Sequence, residues 1–149
     1  MLRAGSTIWP EPLAAFPWLE TTLLVGAAAA FGATRIRLVS SSALGLAFVA
    51  VTMLNGAVMI RNGLLPSASL QLACWFALGT VHAVHVFGGA VFSGWLAGPA
   101  FPLRQGYGGQ IGMADNDPER WNARIEATRR YWIFVVLVWL LLVGSFYVL

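Results

Sequence analysis

Residues 70–97, LQLACWFALGTVHAVHVFGGAVFSGWLA, contain no Asp, Glu, Lys or Arg. At 1.5 Å rise per residue an α-helix needs roughly 20 residues to cross about 30 Å of hydrocarbon, and this run exceeds that length. It lies inside a longer charge-free stretch, Asn62 to Leu103, which Pro66 and Ser67–Ser69 open as a loop and Pro99 and Pro102 close. The reading is one long membrane-spanning helix, about Leu70 to Ala97. Two more charge-free stretches, Leu38–Ile60 and Tyr131–Leu149, each hold one span, placed at 42–60 and 131–149.

The N-terminal apolar run, Leu13–Ala33, is interrupted by Glu20 and crowded at its start by Pro10, Pro12 and Pro17. A fourth span over 18–34 fits if Glu20 is an interfacial carboxylate beside Trp9 and Trp18, whose amphipathic rings suit that depth. Arg3 before an apolar stretch also fits a cleaved signal peptide, but the prolines, Glu11 and Glu20 argue against one. The expectation is an all-α, single-domain, integral membrane four-helix bundle over residues 1–149, with a polar cytoplasmic loop at 98–130.

Composition agrees. Of 149 residues 58% are hydrophobic and 10% charged, against about 25% charged in soluble domains. Mean hydropathy is +0.73. So little charge cannot cover a water-facing surface. The positive balance is carried by nine arginines without a lysine. They flank apolar runs, so the positive-inside rule accounts for them and a nucleic-acid partner is not expected. Four spans place Arg35, Arg37, Arg104, Arg120, Arg124, Arg129 and Arg130 on one side, and Arg3 and Arg61 on the other. Both termini are therefore expected to face away from the cytoplasm.

The loop after the third span begins with a glycine-rich half, residues 104–112. Its Gly106-Tyr107-Gly108 lacks the re-entrant apolar hairpin of a potassium filter and reads as a flexible loop. Asp117-Pro118-Glu119 reads as an N-cap, a proline at the first helical position and an acid in the first turn. A polar helix starting there can run straight into the last span.

Polar groups within the spans are the candidate site. His82 and His85, spaced i, i+3, share a helix face. They fail alone as haem ligands, because axial ligands approach from opposite faces and no other helix offers a histidine. They also lack a nearby Cys, Asp or Glu to complete a metal shell. The favoured reading makes them hydrogen-bonded residues that join this helix to a neighbour, and intramembrane ionisable groups stay site candidates. Counting along the helices puts His82 about 18 Å from Leu70 and Thr52 about 13 Å from Arg61, so a His82–Thr52 hydrogen bond, direct or through water, is expected. Asn55, one turn from Thr52, needs a partner in lipid and should face protein. Gly26 with Ala30, Gly89 with Ser93 and Gly94 with Gly98 offer close-packing surfaces. Cys74 is the single cysteine and reads as a packing residue. With no carboxylate in the second, third or fourth span, no trans-bilayer proton relay and no catalytic centre can be written.

The run Gly79-Thr-Val-His82-Ala-Val-His85-Val-Phe-Gly88-Gly resembles the His-Gly-x-His-Val-x-x-Gly signature of cytochrome c oxidase subunit III. Tyr131-Trp132-Ile-Phe134-Val135-Val-Leu-Val-Trp139-Leu140 is similar to that family's final Tyr-Trp-His-Phe-Val-Asp-x-Val-Trp helix. Pro17-Trp-Leu19-Glu-Thr21 is similar to the Leu-Asn-Thr opening of its fourth helix. Leu44-Gly45 and Leu54-Asn55 stand where its fifth helix has Leu-Gly and Leu-Gln. The resemblance runs from Pro17 over nearly the whole chain and covers the last four of the family's seven helices. Ile133 and Val136 stand in place of the final helix's His and Asp, and Glu20 in place of Asn.

The resemblance implies a non-catalytic subunit of a haem–copper terminal oxidase in a bacterial-type inner membrane. Its expected partners are catalytic subunit I, the other subunits and membrane lipids. Haem and copper would lie in the partner subunit and none would be bound by this chain, while phospholipid would be held by the fold. Arg35, Arg37, Arg104, Arg129, Arg130, Trp132 and Trp139 would contact lipid or partner subunits. A nitric oxide reductase accessory subunit, which shares the fold, is the close alternative. A small proton-coupled exporter using Glu20 is the more distant one, and a membrane anchor for a quinone-reactive dehydrogenase is a third.

Overall fold

The computed structural model describes residues 17–98 and 118–147, and among these none forms a strand. Four helices follow in chain order: α1 (Trp18–Ala30), α2 (Arg35–Arg61), α3 (Leu70–Leu96) and α4 (Pro118–Tyr147). The chain is an all-α bundle. α2, α3 and the Glu119–Ser145 part of α4 are long and apolar enough to cross a membrane, whereas α1 is a shorter apolar helix of 13 residues. These features define a multi-pass membrane protein. Large apolar side chains such as Ile36, Val84 and Leu141 stand exposed around the outside, as lipid-facing positions require.

Local chemistry explains where the helices stop. α1 ends at Ala30, before the expected limit of 34, because Phe31 turns to extended geometry with ψ 138°. The Arg37 guanidinium then donates to the carbonyls of Ala30 (3.2 Å) and Ala29 (3.3 Å), satisfying the open C-terminus of α1. α2 starts at Arg35, earlier than the apolar run, with Thr34 as a side-chain cap on Arg37 N–H. Its far end closes through Gly63, at φ 83°, where the N–H groups of Gly63 and Leu64 bond the carbonyls of Ile60 and Met59. That pairing is a Schellman motif, and the left-handed geometry is why glycine stands there. Pro66–Ala68 forms a 3-10 turn and Ser69 caps α3 by accepting from Leu72 N–H. α4 runs unbroken from Pro118, joining the polar arginine-bearing stretch to the last span. Asp117, Arg104, the Gly106–Gly108 run, Trp9 and Arg3 lie outside the described residues.

Successive helices run up and down, α2 packing on α1 and α3 and α4 returning to lie against α3 and α1. The buried face of α2 is Leu38, Ser41, Gly45, Phe48, Thr52 and Met59; that of α3 includes Leu72, His82, Val86, Gly89, Ser93 and Leu96. These recur at alternating steps of three and four, the seam of left-handed helix packing. The core joins them to Leu24 and Ala27 of α1 and to Trp132, Val135, Trp139 and Val143 of α4.

The Trp132 indole lies across Gly45. A Cβ built on Gly45 would stand 2.8 Å from the ring and 3.0 Å from the Ala90 Cβ. Gly89 is likewise covered by Tyr131 and Trp132, and Gly94 by the Ser42 hydroxyl. Gly26 faces Leu44.

Candidate functional site: the polar seam between the helices

At the end of the bundle where α1 begins, α2 finishes and α3 begins, polar side chains gather on the helix seams. Glu20, in the first turn of α1, is 7% exposed and its carboxylate accepts a hydrogen bond from the Asn55 amide. Asn55 is six residues from the end of α2, about 9 Å along the axis. The carboxylate of Glu20 is thus held in an α1–α2 contact, and Asn55 finds its partner in protein. A charge or amide facing hydrocarbon without such a partner would carry a large desolvation cost.

One turn deeper, Thr52 is buried on α2 and His82 is buried on α3. The His82 imidazole stacks on the Trp139 indole, with centroids 5.3 Å apart, and meets the Phe48 ring edge-on at 5.8 Å. Phe48 and Trp139 are themselves edge-to-face at 5.0 Å. Three helices thus meet in one aromatic cluster around a single imidazole. Thr52 Oγ1 and His82 Nε2 are both buried without a hydrogen-bond partner, as is Ser41 Oγ further along α2. No direct His82–Thr52 bond forms, although both residues border the same region.

His85 lies apart from His82, on the exposed side of α3. Its Nδ1 donates to the Val81 carbonyl at 2.7 Å, which sets the tautomer, since a carbonyl can only accept. Its own carbonyl accepts from the Tyr131 hydroxyl at 2.9 Å, so its backbone ties α3 to α4. The i, i+3 spacing does not make the two histidines converge. Among the described residues no three His, Cys, Asp or Glu side chains gather into a metal shell.

Trp132 and Trp139, expected to touch lipid or a partner, are instead turned into the bundle, at 1% and 6% exposure. Each indole N–H is bonded across helices: Trp132 Nε1 to Ser93 Oγ at 3.1 Å, and Trp139 Nε1 to Thr21 Oγ1 at 3.0 Å. The Thr21 hydroxyl in turn donates a hydrogen bond to the Pro17 carbonyl at 2.8 Å. The reason is physical: an indole N–H without an acceptor is costly away from water, and two hydroxyls on neighbouring helices supply one. Sequence reasoning missed Ser93 and Thr21 in this role. The small residues Gly89 and Ser93 were the available signal, since a glycine one turn from a serine leaves room for an indole.

The arginines divide by surroundings. Arg35 is exposed at the start of α2, and Arg37 is engaged with the end of α1. Arg129 and Arg130 are exposed and share Glu126, at 2.8 and 3.0 Å. Cys74 is a free, half-buried thiol on α3.

The Glu20–Asn55 pair borders a cleft also lined by Pro17, Thr52, Trp75, Gly79 and Trp139. What this arrangement can do chemically is bind by hydrogen bonds and lock helix rotation. A comparison with protein families, with characterised proteins and with solved structures finds no match.

Proposed function

We propose that this chain is a non-catalytic accessory subunit of a haem–copper terminal oxidase, similar to subunit III, which stabilises the catalytic subunit and supports proton uptake. The observation that carries the reading is where the motif residues fall. Gly45, Asn55, His82, Gly89, Trp132 and Trp139, all within the runs that carry the resemblance, take part in contacts between helices. Other residues of the same runs, among them His85, Leu54, Phe134 and Leu140, face outward, where a partner subunit or lipid would cover them.

In this reading the chain sits in a bacterial-type inner membrane with its C-terminus outward, as the arginine distribution favours. The exposed guanidinium groups of Arg35, Arg129 and Arg130 then lie at the cytoplasmic surface, beside lipid phosphates or partner subunits. Haem and copper belong to the catalytic partner.

The test is purification of the tagged chain in mild detergent, with a reduced-minus-oxidised spectrum of what co-elutes. A large complex with high-spin haem, carbon monoxide binding and copper is the expected result. The same complex with haem and non-haem iron in place of copper would assign the chain to a nitric oxide reductase. A colourless homo-oligomer, complete on its own, would overturn the proposal. One observation favours a transporter as second reading: Glu20 is buried against Asn55 beside a cleft, as a proton-coupled exporter requires. Proton-driven substrate uptake by the purified chain alone in liposomes, lost in Glu20→Gln, would establish it.

A further inference from the structure

The cleft bordered by Glu20 and Asn55 contains an unresolved requirement. Thr52 Oγ1 and His82 Nε2 are buried and lack any partner, and Thr52 lines the cleft directly. His82 stands one turn beyond Leu78 and Gly79, which also line it, and stacks on Trp139, which forms another wall. A hydroxyl and an imidazole nitrogen left unsatisfied in a buried site each carry a desolvation cost. Two such groups beside one small space point to a shared ligand.

The dimensions admit water. The space open to the centre of a water-sized molecule is about 30 Å³, whereas one water needs roughly 10–15 Å³ by that measure. The polar partners match as well. A buried water makes about three hydrogen bonds, and here Thr52 offers a hydroxyl, His82 a ring nitrogen, and Glu20 the carboxylate oxygen not bonded to Asn55. The charged group lining this space is Glu20 from α1; the His82 imidazole of α3 is not in its wall but stacks on Trp139, which is. From α2 come the neutral Thr52 and Asn55, and from α4 the neutral Trp139.

We propose that the cleft is a water-binding site in which ordered water joins Thr52 Oγ1 and His82 Nε2 to the Glu20–Asn55 pair. The consequence is a hydrogen-bonded path from the aromatic cluster to the end of the bundle where α1 begins. It places a deeply buried imidazole in contact with exchangeable water, while Ser41, toward the opposite end of α2, stays outside it. The proposal does not depend on the oxidase reading, because it concerns only groups within this chain.

The experiment uses the full chain in lipid nanodiscs with 15N-labelled histidine. Solid-state NMR would follow magnetisation transfer from water to each ring, with His85→Gln separating the two signals. The His82 ring is expected to receive water magnetisation. Thr52→Val, which removes the hydroxyl at nearly constant shape, should reduce that transfer several-fold and move the Nε2 shift. Thr52→Ser should retain both, and Ser41→Ala should change neither. A dry His82 in the unaltered protein would overturn the proposal, as would transfer indifferent to Thr52→Val. Should Thr52→Val fail to fold, the unaltered protein and Thr52→Ser still decide it, since water transfer must appear in both.

Discussion

Replacing Gly45 by alanine adds one methyl group where α2 meets Trp132 of α4 and Ala90 of α3, and its effect can be worked from distances. The new Cβ would lie 2.8 Å from Trp132 Cη2 and 3.0 Å from the Ala90 Cβ, where ordinary contact begins at 3.4 Å. The shortfall is about 0.6 Å at the ring and about 0.4 Å at Ala90. Neither neighbour yields easily. Ala90 Cβ is fixed to the α3 backbone, and the Trp132 ring is held by its bond to Ser93 in a site 1% exposed. The relief must come from moving α2 away from α3 and α4, and a gap of 0.5–1 Å forfeits roughly a quarter to a half of each dispersion contact. Overpacking of this kind costs about 1–3 kcal/mol. The helix preference of alanine over glycine returns about 0.5–1 kcal/mol. The difference, about 0–2.5 kcal/mol, centres on a net loss of about 1 kcal/mol, roughly a fivefold shift in the unfolding equilibrium. Reversible unfolding of the purified chain in mixed micelles, followed by tryptophan fluorescence, measures it. Gly144→Ala is the control, because nothing lies within 4 Å of its added Cβ, and it should be neutral or slightly stabilising. If Gly45→Ala proves as stable as the parent, or if Gly144→Ala is equally harmful, the assigned packing of α2 on Trp132 is wrong.

Trp132→Phe and Ser93→Ala should each lower stability, and a double-mutant cycle should return a coupling of about 0.5–1.5 kcal/mol for the indole–hydroxyl bond; zero coupling would show that the bond is not made. Asn55→Leu strands the buried Glu20 carboxylate and should cost about 1–3 kcal/mol. Glu20→Gln keeps a side-chain hydrogen bond to Asn55 within reach and should cost clearly less, an order that thermal unfolding can check. Glu126→Gln removes the partner of Arg129 and Arg130 at an exposed site, so the unfolding midpoint should not move; a marked drop would mean that this ion pair is buried by something other than solvent.

The three long apolar helices are legible in the sequence because lipid imposes one strong demand, the exclusion of charge over the length of a helix, whereas the expected first span over 18–34 is only the 13-residue α1. Leu70 was placed as the start of α3 because Pro66 and the serines before it cannot continue a helix, and the structure begins α3 there. The Pro118 start of α4 was equally readable from Asp117-Pro118-Glu119. Arg35 was harder. Charge counting puts Arg35 and Arg37 outside a span, but helix geometry follows backbone hydrogen bonding, and Thr34 supplies a cap that brings both arginines inside α2. The site was less legible for a different reason. Asn55 clearly needed a partner, but which residue supplied it depended on the rotation of α1, and nothing local to Glu20 states that rotation. The same holds for Trp139 and Thr21, 118 residues apart in sequence.

The seam periodicity decides how those rotations are set. A one-residue slip of a helix turns its face by about 100° and moves it 1.5 Å. For apolar residues in lipid, such a slip costs little, since hydrocarbon solvates leucine as well as a neighbouring helix does. For Glu20, Asn55, the two indole N–H groups and their hydroxyl partners, it would break every hydrogen bond and turn the polar atoms toward lipid. The polar contacts therefore discriminate between registers more than they add stability, whereas Gly45, Gly89 and Ala90 set how closely the chosen register can pack. The two devices act at different levels of the bundle. The glycine–indole wedge is tight where Trp132 sits. The Glu20–Thr52 region, nearer the other end, is specific but loosely filled, which is why that end has room for water.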